Sequence, residues 1–369
     1  MAIIIYLLAL IFVIPALIYF YFFFCRFLTL FGIEKKTKKS RVMALLLAAI
    51  TASFGIRMFN FSFIIMLHLL LTCLGMEIVN LALKRIPREK FQRVWSFLYR
   101  SGILCLVVTV TVLTYGYFNM ENIQRTEYDV HTAKAVERPV KIVQISDLHT
   151  GTTLDEAEIA KCLAKIEKEN ADLLVLTGDI FDETTSRAQM EKTVDMLSKI
   201  ETTYGTYYIF GNHDVNQYIS TPAYTAVELK ERLSRAGIRV MEDEVLTLND
   251  GITLVGRKDA SADNRKSIET LVSQADSDDF LLLLDHQPAG LERNAKAGID
   301  LELAGHTHSG QIWPMGILSK LVGINEEYYG IHTIGNFKVI VSSGIAGWGY
   351  PIRTEGPSEY VVVNIRPSV

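Results

Sequence analysis

The sequence predicts an α/β domain in which two sheets pack face to face between helices, a four-layer α/β/β/α sandwich, preceded by a helical region that spans a membrane about four times. Long apolar runs dominate the chain before about residue 120, whereas the remainder mixes short apolar and polar segments. Charge divides at the same place. Residues 1–120 carry 13 Lys and Arg against 3 Asp and Glu, and the remainder carries 24 against 38. A length of 369 residues accommodates two such parts.

Four apolar stretches make up most of the first part, residues 1–120. They cover residues 2–24, 42–59, 61–83 and 102–118. Each is near the roughly 20 residues that a helix needs to cross the hydrocarbon core of a bilayer. Runs with so little charge leave no face for water, which favours membrane spans over buried soluble helices. We do not expect the first to be a cleaved signal peptide, because no basic segment precedes it and no A-x-A-like site follows it.

Basic residues concentrate in two of the intervening loops. Residues 26–41 and residues 84–100 contain six Lys and Arg each. The positive-inside rule places both loops in the cytoplasm. With four spans, the N-terminus and residues 119–369 then lie outside. We therefore expect a multi-pass cell-membrane protein whose C-terminal part is extracytoplasmic and borders membrane lipids.

The C-terminal part reads as a linker followed by a layered domain. Residues 121–139 are polar and are predicted to lead, as a linker, into a first strand, and residues 140–369 form the domain. Strands are predicted at residues 140–146, 172–177 and 206–210, with helices at about 155–169 and 186–199 between them. This β-α-β-α-β order predicts a sheet covered by helices.

A second sheet is indicated by the later sequence. After a helix at residues 223–236, helices become few and strands frequent. The predicted strands are 240–242, 245–248, 252–255, 280–284, 301–303, 339–342 and 360–364.

Histidines and acids follow five of the predicted strands directly. The segments are Asp147-Leu148-His149, Gly178-Asp179-Ile180-Phe181-Asp182, Gly211-Asn212-His213-Asp214, Asp285-His286 and Gly305-His306-Thr307-His308. In an open α/β sheet, ligands bind just outside the carboxyl ends of the strands. One such motif occurs often by chance. Five in order, each after a strand, are not explained by chance, and we expect them to meet in one region.

These side chains have the chemistry of a metal pair. Imidazole and carboxylate ligands without thiolate suit Mn, Fe, Zn or Ni, and the ligand types do not choose among these metals. Two cations about 3.5–4 Å apart can clamp a phosphoryl group and activate water. A shared carboxylate is needed between them, and Asp179 is the natural bridge because it lies in the middle of the series. The sequence therefore predicts two divalent metal ions.

The motifs resemble the signature of the calcineurin-like metallophosphoesterase superfamily, which runs D-x-H, G-D-x-x-D, G-N-H-D/E, H and G-H-x-H. The resemblance covers about residues 140–365 and includes every ligand of the signature. Two segments, Asp285-His286-Gln287-Pro288 and residues 305–311, are similar to the membrane-attached bacterial branch of that superfamily. Ser309 stands where glycine is common.

The resemblance implies a metal-dependent phosphohydrolase and a division of roles. One metal would be bound by Asp147, His149, Asp179 and His308, and the other by Asp179, Asn212, His286 and His306. A hydroxide held between the metals would attack phosphorus. His213, oriented by Asp214, would stabilise charge or protonate the leaving oxygen. The expected substrate contains a phosphodiester or a pyrophosphate. It is either a phosphorylated small molecule or a lipid-linked compound.

Other functions stay open at this point. One is a nucleotide phosphodiesterase or phosphomonoesterase, and another is a non-catalytic membrane sensor that has kept the domain. The complete ligand set argues against the sensor. No nucleic-acid partner is expected, because the acidic C-terminal part would repel a phosphate backbone. The sequence does not indicate an oligomeric state.

Three further features have two interpretations each. Asp182 is either a partner that orients a metal ligand or a plain turn residue. Arg353 either binds a substrate phosphate or forms a structural ion pair. The apolar segment 312–324 is either core, which we favour, or an exposed lip that contacts lipid or an acyl group.

Overall fold

The computed structural model describes residues 2–57 and 60–368. The chain divides into two compact units, one that extends to Gly116 and one that begins at Tyr117. The first is helical, and the second carries all twelve strands of the described residues. Each unit is treated by itself below.

The first unit consists of helices. They are α1 (Ala2–Phe27), α2 (Lys38–Ser53), α3 (Phe61–Leu83), α4 (Glu89–Ser101) and α5 (Ile103–Glu121), the last of which ends in the second unit. Three stretches of the described residues are long and apolar enough to cross a membrane: Leu10–Phe31, Phe61–Leu83 and Ile103–Glu121.

The predicted stretch 42–59 is not among these three. Helix α2 has only 16 residues and ends at Ser53, and residues 58 and 59 lie outside the described residues. At a rise of about 1.5 Å per residue, a helix of this length falls short of the roughly 30 Å hydrocarbon core. The sequence could not show this, because apolar residues continue beyond the point at which the helix ends.

The second unit contains two six-stranded sheets. The first has the strand order β1-β12-β2-β3-β4-β5, and the second has the order β10-β11-β9-β8-β7-β6. The strands of the first sheet are β1 (Ile123–Thr132), β12 (Ser358–Pro367), β2 (Val140–Ile145), β3 (Leu173–Leu176), β4 (Thr206–Tyr208) and β5 (Ile238–Val240). Those of the second are β10 (Gly330–Ile334), β11 (Phe337–Val341), β9 (Leu301–Ala304), β8 (Phe280–Leu284), β7 (Ile252–Gly256) and β6 (Glu244–Thr247).

Helices cover the outer faces of both sheets. On the first sheet lie α6 (Glu156–Glu167), α7 (Arg187–Leu197) and α8 (Ala226–Arg235). Each begins with a capping box formed by Asp155, Ser186 and Thr225 with the residue three positions on. On the second lie α9 (Ile268–Val272) and α10 (Leu291–Lys296). A short helix, α11 (Met315–Leu321), follows β9.

Three apolar clusters confirm the predicted four-layer α/β/β/α arrangement. The middle cluster contains Ile142 and Val175 of the first sheet together with Leu254 and Leu282 of the second, so the sheets pack face to face. The two outer clusters join the opposite sheet faces to their helices. Strands β2 to β5 run parallel, as do β7, β8, β9 and β11. Their carboxyl ends therefore share an edge, where site residues are expected.

Two strands differ from the sequence prediction. Strand β1 lies within the segment predicted as a linker and pairs in parallel with β12 over ten residues. The sequence does not reveal β1, because an edge strand with an exposed face lacks the continuous apolar run by which a buried strand is recognised. Strand β10 was also not predicted, and it forms an antiparallel hairpin with β11.

Candidate metal centre

The predicted site residues lie on tight turns directly after the strands. Asp147, His149, Asp179, His306 and His308 have φ angles of 51°, 41°, 53°, 70° and 50°. Positive φ is uncommon for residues other than glycine, and such strained residues cluster at functional sites. This backbone conformation directs the side chains that follow β2, β3 and β9 towards a common point.

Glycines permit the close approach of these turns. A Cβ atom at Gly305 would lie 1.8 Å from Ser146 Oγ and 2.4 Å from Asp147 Oδ2. A Cβ atom at Gly211 would lie 2.2 Å from Asp179 Oδ1. Any larger residue at either position would displace a carboxylate of the site.

A first cluster of potential metal ligands consists of Asp147, His149 and His308, all buried. The Nε2 atoms of His149 and His308 are 3.2 Å apart. Asp147 Oδ1 lies 3.5 Å from His308 Nε2. The backbone N–H of His306 donates to Asp147, which fixes this carboxylate at the start of the β9 turn.

A second cluster consists of Asp179, His286 and His306. His286 Nε2 lies 3.1 Å from Asp179 Oδ2 and 3.3 Å from His306 Nδ1. The backbone N–H of His213 donates to the other oxygen of Asp179 at 2.9 Å. Four of the strand-end motifs thus contribute to the two clusters, and the fifth contacts the second one.

The separations within the clusters fit shared metal ions. Ligands about 2.1 Å from a tetrahedral metal lie about 3.4 Å from one another, close to the 3.1–3.5 Å separations between these donor atoms. Asn212 adds an independent observation: its side-chain Oδ1 is buried and has no hydrogen-bond partner in the described residues. A buried carbonyl oxygen without a donor is costly, and a cation would satisfy it.

Hydrogen bonds prepare two of the imidazoles as ligands. His286 donates Nδ1–H to the carbonyl of Thr177 at 2.8 Å, and His308 donates Nδ1–H to the carbonyl of Ala346 at 3.2 Å. With a metal bound, each ring would offer the lone pair of Nε2 as the ligand. Burial, followed by the neighbouring histidine His149, lowers the pKa of His308 well below its ordinary value, which favours the neutral ring that a metal requires.

Asp179 interacts with charged groups on several sides. Burial alone would raise its pKa, but His286, His149 and His213 outweigh burial and lower the pKa below the ordinary value. This environment keeps Asp179 ionised next to both clusters, as a bridging carboxylate requires.

His213 is positioned by Glu183. The Nδ1–H group of His213 donates to the Glu183 carboxylate at 2.9 Å, and the rings of Tyr218 and Trp348 lie 5.1 and 5.2 Å from the His213 ring. The His213 side chain retains 13% exposure. Burial would lower its pKa, but the hydrogen bond to Glu183 and the charge of Asp179 raise it.

Comparisons with known proteins agree with this geometry. Residues 140–310 match the family described as calcineurin-like phosphoesterase. This chain carries a calcineurin-like metallophosphoesterase domain. The predicted family and fold are thereby confirmed. Members of the family use two divalent metal ions, and each of the two clusters could hold one.

Relatives of the metallophosphoesterase domain come from bacteria and animals. An uncharacterized metallophosphoesterase of Helicobacter pylori (strain J99) is 28% identical over 63% of this chain and 61% of that protein. A zebrafish protein, described as a transmembrane protein with metallophosphoesterase domain, is 26% identical over 74% of this chain and 64% of its own length. The chain thus spans less than two thirds of either relative. A dimetal phosphatase from Danio rerio is similar in structure, with 12% identity, a TM-score of 0.39, and coverage of 56% of this chain and 88% of that one.

Asp214 does not have the role that the resemblance implies, which is to orient His213. Its buried carboxylate accepts hydrogen bonds from the backbone N–H groups of Asp179, Phe181 and Gly211 and from the hydroxyl of Tyr208. Burial raises its pKa to about 7. Asp214 therefore joins the turns of the metallophosphoesterase domain, and the side chain that holds the His213 ring is Glu183. Glu183 could not be predicted from the sequence. It directly follows the motif Gly178–Asp182 but belongs to no recognised pattern.

The structure bears on the two interpretations of Asp182 and on those of Arg353. Asp182 lies 3.4 Å from Nδ1 of His149 and accepts a hydrogen bond from Thr152 at 2.6 Å, which favours the orienting partner over a plain turn residue. Arg353 is buried and donates to the carbonyls of His308 and Ala346, both at 2.7 Å. It holds two loops of the metallophosphoesterase domain together, and neither predicted role describes it.

The prediction that segment 312–324 belongs to the core is wrong. Ile312 is buried, but most of the apolar side chains that follow it are exposed. The apolar composition of the segment cannot say whether another element covers it.

Proposed function

We propose that this protein is a membrane-anchored phosphohydrolase that depends on two divalent metal ions and cleaves a phosphodiester or pyrophosphate carried by a lipid. The observation that supports the activity is the pair of adjacent, largely buried ligand clusters with His213 beside them. We assign the first metal to Asp147, His149, Asp179 and His308, and the second to Asp179, Asn212, His286 and His306. When bound, the metals supply charge that polarises a phosphoryl group and water.

The side chains around the metals prepare the site for substrate. Hydrogen bonds to Thr177 and Ala346 fix the ring orientation of His286 and His308. The Asp182 carboxylate lies 3.4 Å from Nδ1 of His149 and would orient that ring. His213 reaches the open side of the site with Nδ1 held by Glu183, so its Nε2–H can be given to the leaving oxygen. The raised pKa keeps that proton available near neutral pH.

The proposed activity is tested with the full-length protein in nanodiscs, with bis-p-nitrophenyl phosphate as substrate and Mn²⁺ added. We expect metal-dependent turnover by the wild type. Asp179→Ala should abolish turnover, and His213→Ala should reduce it by about 10²–10⁴, the usual contribution of a general acid. Exposed Asp263 and His131 provide matched controls, since alanine at either should leave the rate unchanged. No metal-dependent turnover by the wild type would favour the sensor function.

Membrane attachment is proposed from the three apolar helical stretches and from the zebrafish relative described as a transmembrane protein. The basic loops 26–41 and 84–100 support a multi-pass topology in which both lie in the cytoplasm and the phosphoesterase domain lies outside. Fusions at the C-terminus test the orientation: alkaline phosphatase should be active there, and bright fluorescence of GFP would place the domain inside.

The lipid-linked substrate is proposed because the domain is tethered at a membrane surface. A substrate panel should include a lipid pyrophosphate, a nucleotide sugar and a cyclic nucleotide, each supplied to metal-loaded protein. Preferred turnover of the lipid pyrophosphate is expected. Preferred turnover of either nucleotide would instead support the nucleotide phosphodiesterase.

A further inference from the structure

The second unit exposes a run of large apolar side chains on and around helix α11. This surface, which we name the apolar lip, consists of Trp313, Met315, Ile317, Leu318, Leu321, Val322 and Ile324. Leu321, Val322 and Ile324 retain 75%, 69% and 74% of their accessible surface. Single exposed apolar residues are ordinary, but a group of seven within twelve positions marks a surface that contacts something.

The apolar lip is fixed to the loop formed by residues 347–356. The backbone N–H of Trp313 donates to Thr354 Oγ1 at 3.0 Å, and that of Gly316 donates to Glu355 Oε2 at 2.9 Å. The backbone N–H of Thr354 in turn donates to the carbonyl of Gln311 at 2.8 Å. These bonds hold the start of α11 in place while its outer face stays uncovered.

The final turn of helix α5 is attached to the same loop. Asn119 Nδ2 donates to the carbonyls of Arg353 and Gly356 at 3.1 and 2.7 Å. Ser358, just beyond the loop, donates to the carbonyl of Met120 at 2.9 Å. Strand β1 then begins at Ile123, with only Asn122 between it and the end of α5 at Glu121. Within the second unit, the apolar lip and the last turn of a candidate membrane span therefore lie at the same loop.

The charges of the segment suit entry into a bilayer interface. Lys320 is the one charged residue of segment 312–324, and it is paired with Glu327 at 2.5 Å. The pair lowers the cost of bringing the ammonium group near lipid. Trp313 supplies the aromatic ring that is typical of the boundary between headgroups and acyl chains.

We propose that the apolar lip inserts into the outer leaflet of the membrane that α5 crosses, with its side chains at the boundary between headgroups and acyl chains. A surface helix buries such side chains about 5–10 Å into that region. The proposal rests on the proposed membrane anchoring and is independent of the hydrolytic activity. The loop that joins lip and helix also carries Trp348, whose ring lies 5.2 Å from that of His213. Insertion would therefore place the border of the site next to the lipid surface.

Fluorescence from a label on the apolar lip tests the proposal in the full-length protein. Val322→Cys is made with Cys25→Ser, because Cys73, Cys105 and Cys162 are buried and resist labelling. The thiol is labelled with NBD, and the protein is reconstituted in phosphatidylcholine nanodiscs with and without 5-doxyl phosphatidylcholine. Leu321→Cys repeats the measurement one position earlier. Val227→Cys, on α8 and 67% exposed, is the matched control for an apolar side chain elsewhere on the domain.

The expected result is a blue-shifted emission at positions 321 and 322 that is quenched by the doxyl lipid, with no quenching at position 227. Emission at 321 and 322 that resembles that of position 227 would overturn the proposal. A blue shift without quenching would also overturn it, because the apolar lip would then be covered by protein, such as a second copy of the chain. Neither measurement requires turnover, so failure here is distinguishable from failure of the proposed activity.

Discussion

Glu183 holds Nδ1 of His213 at 2.9 Å, and both side chains are 13% exposed at the open side of the two ligand clusters. A histidine bound in this way has a fixed ring orientation and a raised pKa. Replacement of the carboxylate by an amide keeps the shape and removes the charge.

Glu183→Gln should lower kcat by about tenfold, because the His213 proton would be less available to the leaving oxygen. Metal content should stay at the wild-type level, since no proposed ligand is touched. The measurement is bis-p-nitrophenyl phosphate hydrolysis with metal analysis of the same sample. Glu156→Gln, at a side chain that is 61% exposed, is the control. An unchanged kcat in Glu183→Gln would remove Glu183 from the mechanism.

Asp214→Ala should destabilise the domain by about 3 kcal/mol or more, because it leaves three buried backbone N–H groups and the Tyr208 hydroxyl without their acceptor. Tyr208→Phe removes only one of the four donors and should cost about 1 kcal/mol. Thermal unfolding of the full-length protein measures both. Equal midpoints for Asp214→Ala and the wild type would show that this network does not stabilise the turns.

Gly305→Ala should reduce metal occupancy, since its Cβ atom would lie 2.4 Å from Asp147 Oδ2 and displace this carboxylate. Gly75→Ala provides a control, because a Cβ atom there meets no atom within 4 Å. Metal analysis after dialysis against metal-free buffer distinguishes the two. Retention of the wild-type metal content by Gly305→Ala would mean that the β9 turn relaxes without moving the ligand.

Much of the fold and of the site could be predicted from the sequence, because strand ends followed by His, Asp and Asn form local patterns. Buried strands such as Leu173–Leu176 are continuous apolar runs, and the residue that follows each run is easily identified. Contacts between distant segments are a different matter. Three contacts depend on tertiary packing: Glu183 faces His213, Asp214 accepts hydrogen bonds from the turn that contains Asp179 and Phe181, and Arg353 donates to two loop carbonyls.

Burial of amphipathic elements was equally hard to predict. Segment 312–324 has the composition of core yet lies mostly exposed, and strand β1 has the composition of a linker yet pairs over ten residues. Composition reports what a segment could bury, whereas burial itself depends on which element packs against it. The same holds for helix α2 of the first unit, because the apolar stretch 42–59 of the sequence extends beyond the end of the helix at Ser53.

Metal stoichiometry tests the two-metal site most directly. Full-length wild type and Asp179→Asn are loaded with Mn²⁺, dialysed and analysed by mass spectrometry of the metal, and hydrolysis is measured before and after chelation. We predict two metals per wild-type chain, at most one in Asp179→Asn, and loss of turnover on chelation that added Mn²⁺ restores. A wild type that binds one metal or none, or that hydrolyses substrate equally well after chelation, would contradict the account.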